Sequence, residues 1–140
     1  MNATDQFKSA TILGRHELEL RMLAVREHVP GLRALAAERA MRDDHDLDFI
    51  DDVRLVIDEV CTLMLANCAE SDVLTMRLLV DAHCVRIDAS VPTFLAEPTL
   101  GPLSLRVLAV LADSLDYWID DHAPTRFFRL SFSRSRPARR

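Results

Sequence analysis

Residues 17–24 alternate polar and apolar side chains through Leu18, Leu20 and Met22, the period of a strand with one buried face. Pro30 suits the first turn of a helix, where its missing N–H is not needed, and Leu32, Leu35, Ala36 and Arg39 continue a short one. The run Asp43-Asp44-His45-Asp46 interrupts it. The next helix carries the clearest pattern. Asp46 or Asp48 can cap it, acids crowd its first turns where the helix dipole favours them, and it extends to about Cys68. At about 100° per residue, Ile50, Val53, Ile57, Val60, Cys61 and Met64 fall on one line and form the core stripe. Leu55, Glu59 and Leu63 form a second line on roughly the opposite side.

Leu74 with residues 77–80, and then residues 84–89, read as strands joined by the hairpin turn Asp81-Ala82-His83. Residues 90–100, with Pro92 and Pro98, read as a loop. Gly101-Pro102 opens a helix with apolar positions at Leu105, Leu108, Leu111 and Ala112. Residues 115–119 and 126–132 read as two strands around a turn at 120–124. The order β-α-α-β-β-α-β-β predicts an α+β fold, a two-layer sandwich of mostly antiparallel sheet with helices on one face.

The 140 residues suffice for one domain with a single core, and 49% apolar with 28% charged residues is a globular mixture. Residues 1–16 read as a frayed N-terminus, 17–133 as the folded domain and 134–140 as a basic tail. The longest apolar run, residues 107–112, is far short of the ~20 a membrane helix needs, and the N-terminus lacks the basic and apolar regions of a secretory signal. A cytoplasmic protein with no membrane contact is expected. Cys61, Cys68 and Cys84 are an odd number without a C-x-x-C pair, so reduced thiols are expected rather than a disulfide framework or a zinc site. His83 and Cys84 do not make half a metal site, since neighbours on a strand point to opposite faces. No metal ligands are assigned.

Net charge is −5, but the sum hides an asymmetry. Residues 126–140 hold six arginines and no acid, leaving the first 125 residues with a net charge of −11. Such a body repels nucleic acid and suits a basic protein partner. Tyr117 and Trp118 read as core and edge packing rather than a stacking platform. Ser104 has no neighbouring base in sequence that would make it a nucleophile.

The run D-V-R-L-V-I-D-E-V-C-T-L-M at residues 52–64 resembles the nucleotide-site helix of anti-sigma factors of the RsbW and SpoIIAB type, small serine kinases of the GHKL ATPase superfamily. The resemblance covers roughly residues 17–133, including L-A-D-S-L-D-Y at 111–117, and the D-E-V-C-T run is similar to the actinobacterial branch. It implies a Bergerat-like ATPase fold, an RNA polymerase sigma factor as the sequestered partner, an anti-anti-sigma (STAS-type) protein as antagonist, and a homodimer. Arg33 matches a family arginine that contacts the sigma factor. Glu59 matches the catalytic glutamate that activates the attacking hydroxyl, though a plain solvated helix carboxylate is an equal reading. The family's magnesium asparagine falls on Leu63, which cannot ligate a hard cation, and Asn67 lies a full turn further on. The adenine-binding D-x-G-x-G loop is replaced by Ala89-Ser90-Val91-Pro92-Thr93, with Asp88 one residue away. Of the phosphate-cradling motif only Gly101-Pro102-Leu103-Ser104 is left, with Gly101 and Ser104 as the residual cofactor-binding positions, and its proline lacks a donor N–H. No cofactor, or only weakly bound ATP and magnesium, is expected. An active serine-protein kinase acting on the antagonist is the alternative.

Overall fold

Alternating strands need a layer to cover their apolar face, and here three helices supply it. In the computed structural model, which describes residues 7–43, 45–122 and 124–135, the elements are β1 (Phe7–Ile12), β2 (Glu17–Leu23), a 3-10 turn (Arg26–His28), α1 (Val29–Arg42), α2 (Leu47–Leu65), β3 (Val73–Val80), β4 (Cys84–Pro92), α3 (Pro102–Leu111), β5 (Ser114–His122) and β6 (Thr125–Ser135). The strands form one antiparallel sheet in the order β1-β2-β3-β4-β6-β5. The expected two-layer α+β sandwich is what the chain adopts.

Register explains the core. Leu18, Leu78, Ile87, Phe132 and Leu115 form one cross-strand row, and Leu20, Met76, Ala89, Leu130 and Tyr117 another, all on the side of the helices. These rows are buried as far as β6. The opposite face, with Glu19, Arg77, Asp88, Arg129 and Trp118, is open to solvent, as antiparallel sheets allow.

Helix α2 is the central element of the helical layer. Asp46 caps it by accepting a hydrogen bond from the Phe49 N–H at 2.9 Å, and all six residues of the expected stripe are buried. Phe49, Val56 and Leu63 are buried as well. They lie about 100° from the stripe, on the side away from α1 and its neighbours Asp58, Cys61 and Leu65, because α2 is flanked by α1 and α3. The second line read from the sequence is therefore split: Leu55 is exposed, Glu59 half-buried and Leu63 buried.

Several boundaries differ from the expectations. Residues 7–12 are not frayed but pair with β2, while residues 1–6 lie outside the described part. Helix α2 ends at Leu65 rather than Cys68. Residues 90–92 belong to β4, since Pro92 sits at the strand's end opposite Phe127, where a missing N–H is tolerated. Strands β5 and β6 are longer than expected and leave only residues 123–124 between them. Arg134 belongs to β6, not to a tail: its Nη1 donates to Asp52 Oδ2 at 2.7 Å and its guanidinium lies 5.7 Å from the Phe49 ring centre. Residues 136–140 of that tail are outside the described part. Tyr117 and Trp118 are not core residues; both are partly exposed on the edge strand β5.

Candidate functional site

Helix α2 brings the sequence-derived positions to two places, one on each flank. On the α3 flank stand Glu59, Leu63 and, just past the helix, Asn67. Glu59 is half-buried and makes no hydrogen bond or ion pair among the described residues. Leu63 is 1% exposed, a packing residue. Asn67 is fully buried, and both ends of its amide are engaged. Its Oδ1 accepts from the Thr99 N–H at 2.6 Å, while Nδ2 donates to Thr99 O at 2.9 Å and to Leu63 O at 2.7 Å. Asn67 thus ties the β4–α3 connection to the end of α2. The sequence reading missed this role, which depends on a partner 32 residues away.

The same connection is anchored to β6. The Thr93 N–H donates to Arg126 O at 2.9 Å, and Arg126 Nη1 donates to Leu95 O at 3.2 Å. On β4, Ala89 points to the helices and is 3% exposed, whereas Asp88 points to the open face beside Arg86. Gly101 is the N-cap of α3 with φ −70°, which any residue adopts, and a Cβ added there would meet nothing nearer than Ser104 Oγ at 3.8 Å. Nothing in this backbone demands glycine, unlike a loop that cradles phosphate. Ser104 is buried in the first turn of α3, with no base hydrogen-bonded to it among the described residues.

On the other flank, α1 and α2 enclose a groove of about 310 Å³ lined by Arg26, Pro30, Arg33, Asp58, Cys61 and Leu65, among others. Arg33 is not the plain solvated residue its helix position alone would suggest. Its Nη1 donates to both carboxylate oxygens of Asp58, at 3.0 and 2.9 Å, with the two side chains 39% and 35% exposed. One terminal nitrogen makes both bonds, so the remaining donors of the guanidinium are left for another acceptor. Arg26 is exposed on the rim and makes no ion pair among the described residues. The groove thus combines an apolar floor with two cations and one carboxylate.

The three thiols are free. Burial, reinforced by the Asp58 charge, pushes the Cys61 thiol up to about 12. Burial and Asp72 push Cys68 up to about 11, and burial with Asp81 also raises Cys84. All three are neutral thiols at pH 7, poor nucleophiles and poor metal ligands. Among the described residues no group of His, Cys, Asp or Glu side chains is arranged to hold a metal ion.

No family model matches the chain. Two curated proteins do, each named anti-sigma-F factor RsbW, from two strains of Mycobacterium tuberculosis. Each is 32% identical over 114 residues, covering 79% of this chain and 67% of the relative. Identity at this level over most of a chain whose fold is the expected sandwich places this protein in the RsbW family of anti-sigma factors.

Proposed function

We propose that the protein is an anti-sigma factor: it binds an RNA polymerase sigma factor and withholds it from the polymerase. The observation that carries this reading is the match to two relatives named anti-sigma-F factors. The α1–α2 groove with Arg33 at the family's contact position supports it. Release by an anti-anti-sigma protein of the STAS type and assembly as a homodimer belong to the same reading. Direct nucleic-acid binding does not, because the acidic body opposes it.

The protein acts as a binder without nucleotide. Leu63, Ala89 and Pro102 stand where the superfamily places its magnesium ligand, adenine acceptor and phosphate donors, and Asn67 is committed to Thr99. Surface-plasmon measurement against a purified sigma-F-type factor tests the function, with and without ATP and magnesium. Binding that is the same in both conditions is expected; no binding in either would overturn the reading. Calorimetry with ATP and magnesium alone should give no measurable heat of binding. A micromolar dissociation constant would restore the kinase alternative, with Glu59 as its base.

A further inference from the structure

The α1–α2 groove holds two arginines in different states. Arg26 is exposed on its rim and makes no ion pair among the described residues. Arg33 is held: its Nη1 alone donates to both oxygens of Asp58, at 3.0 and 2.9 Å. Its Nε and Nη2 make no hydrogen bond among the described residues. That edge of a guanidinium is the fork that pairs with a carboxylate through two parallel bonds. Asp58 therefore takes the end of Arg33 whose use leaves the fork whole.

Holding the two helices together is not what this pair does. Leu32, Ala36, Ala37 and Ala40 of α1 are buried in the same core as the stripe of α2, and α1 packs against α2 through it. The paired side chains are 39% and 35% exposed, and an ion pair so open to water contributes little to stability. What it fixes is a direction. A free arginine gives up many rotamers when it makes a contact, and one already held at Nη1 gives up fewer.

Helical phase explains why Asp58 does this and its neighbour does not. At about 100° per residue, Asp58 shares the α1 flank of α2 with Cys61 and Leu65, while Glu59 falls on the α3 flank. The two adjacent carboxylates serve opposite sides of one helix.

We propose that Asp58 is the positioning residue of the α1–α2 groove: it poses Arg33 so that the Nε–Nη2 edge meets a carboxylate of the partner. The apolar side chain next to that carboxylate lies on Val29, Pro30 and Leu65. Arg26, which nothing holds, acts only as a rim charge. The proposal rests on the sigma-binding reading and on Arg33 as its contact.

The test is surface-plasmon kinetics of the full chain against a purified sigma-F-type factor, with side-chain NMR of the free proteins beside it. Wild type, Asp58→Ala, Arg33→Ala and the double variant form a cycle. Alanine suits both half-exposed helix positions, so the fold is kept, and thermal unfolding checks this. Asp58→Ala should raise the dissociation rate about three- to tenfold and change association by less than about twofold. In the Arg33→Ala background it should change neither, because nothing is left to hold. In the free wild type the Arg33 Nη1 protons should give resolved signals, and in Asp58→Ala they should average. If the factor binds and Asp58→Ala leaves dissociation unchanged, slows it, or acts equally in both backgrounds, the proposal is overturned while the anti-sigma reading stands. Averaged Nη1 signals in the free wild type would overturn it as well. If the wild type does not bind the factor, that reading falls and the proposal with it.

Discussion

At the scale of single residues, burial on α2 separates what holds the fold from what decorates it. Ile57 is fully buried in the stripe, whereas Glu59 is half-buried with no partner among the described residues. Ile57→Ala should cost about 2–5 kcal/mol by lost transfer energy and the cavity left behind. Glu59→Ala should stay within about 0.5 kcal/mol. Urea unfolding of both variants measures the contrast, and equal midpoint losses would mean that Glu59 is structural. Asn67→Ala removes the partner of both Thr99 backbone groups and should cost about 1–3 kcal/mol. Hydrogen exchange should show the Thr99 amide losing protection with little change in the sheet. The stripe was legible in the sequence because helical period alone fixes it. Leu63 and Asn67 were not: Leu63 is buried because α3 packs on that flank, and Asn67 has its meaning from a chain segment distant in sequence.

Elements were legible where their period survives and hidden where local geometry breaks it. Strand β1 shows why. A bulge interrupts the register between Phe7 and Ser9, and residues 8–12 are all exposed, so no buried face imposes a pattern on them. No two-residue alternation exists there to be read. The β3–β4 hairpin is the opposite case, a turn whose chemistry is explicit. Burial of Asp81 works to raise its pKa, but its Oδ1 accepts from the His83 and Cys84 N–H groups at 2.7 and 2.8 Å, and these bonds with nearby charge hold it below the ordinary aspartate value. A carboxylate whose pKa is lowered by folding contributes stability above its unfolded pKa of about 3.9. That contribution is lost as pH falls through the lower folded value. Asp81→Ala should therefore be less stable than wild type at neutral pH, with the gap closing in acid. Thermal unfolding of the two proteins between pH 7 and about 2.5 follows it; a gap that stays constant would show that Asp81 acts through shape alone.

For the whole molecule, charge is organised rather than segregated. Of the six arginines in residues 126–140, three are built into the sheet: Arg126 meets Asp121, Arg129 meets Asp120 and Arg134 meets Asp52. What is left outward is an acidic body with the Arg26–Arg33 groove as a cationic inset. The acidic field should speed encounter with a basic sigma factor and make association salt-sensitive, while buried contacts set the lifetime of the complex. Arg33 belongs to the second class if a partner carboxylate takes the guanidinium edge that Asp58 leaves open. Arg33→Ala should then raise the dissociation rate and cost about 2–5 kcal/mol of binding, with the association rate nearly unchanged. The same substitution frees Asp58 in a half-exposed site, where water replaces the lost pair, so stability of the free protein should change by no more than about 1 kcal/mol. Kinetics at two salt concentrations separate the two roles, because a rim arginine alters association and loses its effect at high salt. An unchanged dissociation rate would move the contact away from Arg33.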